Sequence, residues 1–220
     1  MIGVLVPAHN EEALIGRCLR SIGQAMRHPA LRGEPVQVVV ALDRCRDGTA
    51  RIAAEHGAHA VRLRRGNAGR ARALAARTAI ARGARWLAST DADSSVPFDW
   101  LAGQLACAAD AFCGMVCVED WEDYPLPVAR RYDELHVPHD GHPHVHGANL
   151  GVATDWYLRC GGFPALPAHE DIALVEALER AGAGIARLAS PAVVTSARSI
   201  GRAPEGFAGY LMRMAQEIGT

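Results

Sequence analysis

No run in this 220-residue chain reaches the roughly 18 apolar residues that a membrane-spanning helix requires. The N-terminus, Met1-Ile2-Gly3-Val4-Leu5-Val6-Pro7, lacks the basic region and cleavage site of a signal peptide and reads as a first buried strand. A cytoplasmic location is expected on both grounds. A basic surplus is missing too. The formal net charge is −1 and charged residues make up 21%, which leaves no electrostatic case for nucleic acid. Arginines do gather at Arg62, Arg64, Arg65, Arg70 and Arg72, a cluster suited to a few phosphates. The six cysteines form no C-x-x-C pair and lie mostly in apolar runs, so they read as reduced core thiols. Internal repeats and low-complexity linkers are absent. Half the residues are apolar, and the length suits one domain with a single sizeable core.

What is present is an alternation of strand and helix. Gly3–Val6 reads as a strand ended by Pro7, with Asn10 placed to cap a helix whose apolar face is Leu14, Ile15, Cys18, Leu19 and Ile22. Val36–Leu42 is a second strand, and Asp47 can cap a helix that stops near Gly57. Val61–Leu63, an alanine-rich helix over Ala68–Ala81 and a strand over Trp86–Thr90 follow. Such alternation predicts βαβ units, with ligands at the carboxyl ends of parallel strands. The polar clusters His9-Asn10-Glu11, Asp43, and Asp91 with Asp93 fall at those ends. The second half is less regular. Strands are expected over Val116–Val118, Asn149–Thr154, Ile185–Leu188 and Ala192–Thr195, with helices near Val128–Leu135, over Asp171–Ala181 and over Phe207–Ile218. One domain is expected, with a nucleotide-binding half over about residues 1–95 and an acceptor half over about 96–220.

Asp91-Ala92-Asp93 places two carboxylates just past a strand. They can approach one hard cation such as Mg²⁺ or Mn²⁺, which accepts phosphate oxygens in the same shell. An acidic turn is the plain alternative. Glu170-Asp171 opens a helix, where a carboxylate either caps the helix or serves as a general base. His136, His139, His142, His144 and His146 crowd one Pro- and Gly-rich stretch, which reads as a solvated or acceptor-binding loop or as a metal site. His146 is the one placed to reach an acceptor. Arg198 and Arg202 sit among small and hydroxyl residues, as a loop folding over an anion or as a solvated basic turn.

Taken in order, these motifs resemble family 2 glycosyltransferases. The matching stretches are Val4–Glu12, with its Pro-x-x-Asn-Glu ending; Val38–Thr49; Asn67–Leu74; Asp91-Ala92-Asp93; Gly147–Val152; and Gly161-Gly162-Phe163 followed by Glu170-Asp171. The likeness covers about residues 2–200. It implies an α/β GT-A fold, a Rossmann-like, mainly parallel twisted sheet flanked by helices, with an acceptor-binding C-terminal half. It also implies transfer of a sugar from a nucleotide-diphosphate-sugar donor to a hydroxyl acceptor, with Mn²⁺ or Mg²⁺ as cofactor. Pro7, Ala8, Asn10, Glu11, Asp43, Asn67, Arg70 and Asp91 would serve the nucleotide sugar, helped by Arg198 and Arg202. Asp91 and Asp93 would serve the metal. His146, Gly147 and Asn149 would meet the acceptor, Asp171 would be the base in an inverting displacement, and Glu170 would help hold the acceptor. Leu42 stands where relatives often have a first of two aspartates, and Val193–Arg198 lacks the late metal-binding His of several relatives. The Gln-x-x-Arg-Trp motif of processive synthases is absent, so a non-processive enzyme is expected. A sugar-phosphate nucleotidyltransferase is the first alternative, but it would carry a glycine-rich loop where Pro7-Ala8-His9-Asn10 stands. A non-catalytic nucleotide-sugar-binding module is the second, and Asp91, Asp93 and Asp171 weigh against it. No G-x-G-x-x-G follows a strand, which disfavours a nicotinamide dehydrogenase.

Overall fold

The structure is a computed structural model that describes residues 1–64, 67–121, 123–166, 168–198 and 206–219. Its first half follows the expected alternation: β1 (Ile2–Ala8), α1 (Ile15–Ala25), β2 (Val36–Asp43), α2 (Thr49–Glu55), β3 (His59–Leu63), α3 (Ala68–Ala81) and β4 (Trp86–Ser89). The second half adds α4 (Trp100–Ala106), β5 (Ala111–Cys117), α5 (Leu126–Leu135), β6 (Leu150–Ala153), α6 (Thr154–Arg159), α7 (Glu170–Arg180), β7 (Ile185–Val194) and α8 (Phe207–Ile218). One seven-stranded sheet runs in the order β3-β2-β1-β4-β6-β5-β7. It is mainly parallel, with β6 antiparallel to both of its neighbours.

Both faces of the sheet are buried, which explains why the strands read as continuous apolar runs. Because side chains alternate along a strand, Ile2, Val4 and Val6 face α1 and α4 through Ile15, Ile22, Trp100 and Leu101. Leu5, Val39 and Ala41 face the other way, onto Ala71, Ala75 and Ala79 of α3 and Leu174 and Leu178 of α7. Helix α3 lies very close to β1: a Cβ on Gly3 would come within 2.6 Å of the Ala79 Cβ. The alanine-rich sequence is what permits that approach. A separate small cluster joins α5 to α8 through Val128, Tyr132, Leu211 and Met214.

Several local expectations are corrected. Pro7 does not end β1. It pairs with Ala41 of β2 but lies beyond the Ile2–Leu5 stretch that pairs with β4, where β1 has a neighbour on one side alone and tolerates a missing N–H. Ile185–Leu188 and Ala192–Thr195 are one strand. Leu188 pairs with Gly114 and Val193 with Val116, so Pro191 sits in an irregularity where the ladder needs no donor. Asn10 does not cap α1, whose preceding residue Leu14 makes no side-chain cap. Instead Asn10 adopts φ 53° and its Oδ1 accepts the Arg46 N–H at 2.8 Å. Among the described residues, no helix is long and apolar enough to cross a membrane.

Candidate active site

The exits of β1, β2 and β4 and the entry to β6 surround a cleft of about 750 Å³. Asp43 ends β2 and is buried; its Oδ2 accepts the Asn67 N–H at 2.8 Å. The Asn67 side chain in turn accepts the Arg70 N–H at 2.9 Å, capping α3. His9 Nδ1 donates to the Asp43 carbonyl at 2.6 Å, so the loops after β1 and β2 are tied together. Pro7, Ala8, Glu11, Asp43 and Asn67, named above for the nucleotide sugar, all line the cleft.

Asp91 and Asp93 stand at the floor of this cleft, and each meets an arginine. Arg72 reaches from α3 to Asp91 and also to Glu170, and its Nε donates to Ser89 Oγ at 3.2 Å. Burial works against the Arg72 charge, but Asp91 and Glu170 outweigh it and hold the guanidinium firmly protonated. Arg198 Nη2 lies 3.0 Å from Asp93 Oδ2, and its Nη1 lies 2.8 Å from Glu11 Oε2. The turn carrying Asp93 is fastened to the end of β7, with Ser95 N–H donating to the Val194 carbonyl at 2.7 Å and Ser94 Oγ to Thr195 Oγ1 at 2.9 Å. The sequence therefore holds Arg198 and Asp93 on joined segments.

The opposite wall comes from the second half of the chain. Gly147 N–H donates to Asp171 Oδ2 at 2.6 Å, and Asp171 Oδ1 accepts the N–H of Ile172 at 2.9 Å. A Cβ on Gly147 would sit 2.6 Å from Arg72 Nη2, so only glycine lets the guanidinium pass. The histidine-rich stretch is packed in part: His142 is buried and His136, His144 and His146 are half-buried, while His139 and its neighbours Val137 to Gly141 are exposed. His146, His144 and His142 stack in sequence, with His144 also 4.8 Å from His136, which itself stacks on Tyr132 at 4.0 Å. His136 and His146 reach the cleft. His146 Nε2 is sealed from solvent without a hydrogen-bond partner among the described residues. Burial pushes the His146 imidazole down to about 4, His144 adding to the effect and Asp171 opposing it.

Three expected residues are placed elsewhere. Asn149 is fully buried and lines no part of the cleft. It accepts from Trp100 Nε1 at 2.9 Å and donates to the carbonyls of Met115 and Pro191 at 2.9 and 2.8 Å, so it is a structural clasp and not an acceptor ligand. Arg70 is exposed on the outer side of α3, and Asn10 serves the Arg46 backbone. Arg202 lies outside the described residues. Glu170 lines the cleft, paired with Arg72. Arg72, expected only as one of a cluster of arginines suited to phosphates, instead holds Asp91 and Glu170 in the cleft. Its position is signalled by Ala75, Ala76 and Ala79, which put residue 72 on the buried face of α3. Phe207, Tyr210 and Arg213 of α8 also line the cleft, and nothing in their local sequence marks them.

The carboxylates fit a hard divalent cation. Among the described residues, Glu11, Asp91, Asp93 and Glu170 converge with Arg72 and Arg198, so carboxylates outnumber guanidiniums two to one. Burial, with Asp91 and Glu11 nearby and Arg198 opposing, pushes the Asp93 carboxyl up to about 6. Among the described residues, no group of three or more His, Cys, Asp or Glu is arranged to hold a metal ion by itself. Asp91 and Asp93 would supply protein oxygens, leaving the rest of the shell for phosphate and water.

This architecture recurs in solved structures. The N-terminal 349 residues of S. aureus TarS in complex with UDP-GlcNAc superpose with a TM-score of 0.68 at 18% identity, covering 98% of this chain and 65% of that one. The mannosyltransferase PcManGT from Pyrobaculum calidifontis, in complex with GDP-Man and Mn²⁺, gives 0.67 at 21% identity, covering 98% and 61%. A mycobacterial protein gives 0.62 at 17%, covering 99% and 72%. The fold is that of the GT-A glycosyltransferases. Residues 3–155 match the model of glycosyl transferase family 2, and the chain belongs to that family. It spans less than two thirds of the length of the TarS and PcManGT chains. No curated protein matches it in sequence.

Proposed function

We propose that the chain transfers a sugar from a nucleotide-diphosphate-sugar donor to an acceptor hydroxyl, with inversion, without processivity and with Mn²⁺ or Mg²⁺. The observation carrying this reading is that one cleft holds Asp91 and Asp93 on its floor and Asp171 on its acceptor wall. The complexes of TarS with UDP-GlcNAc and of PcManGT with GDP-Man and Mn²⁺ point the same way. Pro7, Ala8, Glu11, Asp43 and Asn67 would cradle the nucleoside. A divalent ion at Asp91 and Asp93 would neutralise the leaving diphosphate. Asp171 would take the acceptor proton as that oxygen bonds to the anomeric carbon and the carbon–phosphate-oxygen bond breaks. The electron pair leaves with the nucleoside diphosphate, and attack from the opposite face inverts the centre. Gly147 N–H fixes the Asp171 carboxylate, and Glu170 acts indirectly by holding Arg72.

A thermal-shift screen of UDP, GDP, UDP-GlcNAc and GDP-Man, with and without Mn²⁺, tests the donor class. A ligand at a hundred times its dissociation constant adds about 2.7 kcal/mol of stability. Stabilisation by a nucleoside diphosphate, strengthened by Mn²⁺, is the expected result. No shift with any of them would end this reading, and pyrophosphate release from a sugar phosphate and a nucleoside triphosphate would replace it with nucleotidyl transfer.

A further inference from the structure

Both carboxylates of the Asp91-Ala92-Asp93 turn already hold a guanidinium, and the two guanidiniums are not equivalent. Arg72 is only 6% exposed. It is fixed by Asp91, Glu170 and Ser89 together, and it lies against Gly147. Arg198 is 26% exposed and stands beyond the end of β7, on backbone that is neither helix nor strand. Its fork spans two carboxylates from different loops, Glu11 after β1 and Asp93 after β4. A divalent cation on Asp93 would meet the Arg198 charge at a few ångströms, where like charges repel strongly in a buried corner. The two cations therefore compete for one carboxylate.

We propose that Arg198 is the cation resident on Asp93 before donor binds, and that a divalent ion joins Asp93 only together with a diphosphate that draws Arg198 away. The diphosphate is a suitable lure, because a guanidinium can donate two hydrogen bonds to phosphate oxygens. Arg198 is on this view a positioning residue that orders the binding of metal and donor. The assignment rests on the function proposed above.

The test is calorimetric titration of Mn²⁺ alone into the wild-type chain, Arg198→Gln and Arg198→Lys, repeated with saturating UDP or GDP. Without nucleotide, Arg198→Gln should bind Mn²⁺ about tenfold more tightly than wild type, and Arg198→Lys should stay within about threefold of it. With nucleotide, the gap between wild type and Arg198→Gln should close. Mn²⁺ should also raise the melting temperature of Arg198→Gln more than that of wild type, a readout that holds even for a less stable variant. Equal or weaker Mn²⁺ binding by Arg198→Gln, while nucleotide still binds, would overturn this assignment and leave the proposed function standing. Failure of every form to bind a nucleoside diphosphate would overturn both.

Discussion

Arg72 on α3 joins Asp91 at the exit of β4 to Glu170 at the start of α7, so one guanidinium ties the floor of the cleft to its opposite wall. Arg72→Met would leave the buried Glu170 carboxylate without its partner, beside a partly exposed Asp91. Removing one partner of such an arrangement costs about 3 kcal/mol or more. For a chain of this length the melting temperature should fall by roughly 6–12 °C. Lysine cannot reproduce the fork, so Arg72→Lys should recover less than half of the loss. A melting curve within 2 °C of wild type for Arg72→Met, by the ~2–4 °C per kcal/mol scale, would contradict this account.

Asp171→Asn should keep nucleotide affinity and lose most turnover, by about 10²–10⁴-fold, the usual contribution of a general base. Both Asp171 oxygens accept backbone N–H groups, so the amide keeps at least one of those bonds and the side chain stays in place. Donor affinity by calorimetry and single-turnover rates separate binding from chemistry. A variant within about threefold of the wild-type rate would move the base elsewhere.

Asn149→Ala should behave as a stability variant. Three buried partners, Trp100 Nε1 and the Met115 and Pro191 carbonyls, would lose their bonds at once, at about 1–3 kcal/mol each for any left unpaired. Urea unfolding should show the loss while nucleoside-diphosphate affinity of the folded fraction stays unchanged. A weakened nucleotide affinity with normal stability would return Asn149 to the site.

The strand-end clusters were readable because periodicity sets the strands, and a parallel sheet then dictates where ligands go. Helices over Ala68–Ala81 and Phe207–Ile218 fall where their patterns place them. Helices α4 and α6, at seven and six residues, are too short for a period to register. Arg70 and Arg72 show the limit at single residues. Two positions apart on a helix point to nearly opposite sides, so a cluster of arginines says nothing about which one enters the cleft until the buried alanines fix the phase. Asn149 sits in a recognisable signature, yet its neighbours in space come from α4, β5 and β7, which no local pattern reveals.

Stability should fall in mild acid because of His146. Its folded value, about 4, lies below the ordinary histidine value of 6.5, so the unfolded chain takes up the proton first. The contribution is complete above pH 6.5 and is lost as pH drops toward 4, to a total of at most about 3 kcal/mol. Burial lowers His142 and His144 in the same direction. Asp93, whose carboxyl burial pushes up to about 6, binds its proton in the folded state and works the other way over this range, so the test is the difference between variants: from pH 7 to pH 5, urea unfolding should cost wild type more stability than His146→Gln. An identical drop in both would assign the effect to the other histidines.

The reversal of β6 has a further consequence. The parallel strands β1, β2 and β4 present the residues that leave them, whereas β6 presents Gly147 and Ala148, which enter it. The connection from β5 to β6, with α5 and the histidine ladder, therefore empties onto the cleft without lying between any two of β1, β2 and β4. Lengthening or exchanging that connection reshapes one wall while the register that holds Asp43, Asp91 and Asp93 stays as it is. The connection is still anchored: Val128 and Tyr132 pack on α8, and Gly141 and His142 bond to β7, so a chimera that exchanges it must keep those four contacts.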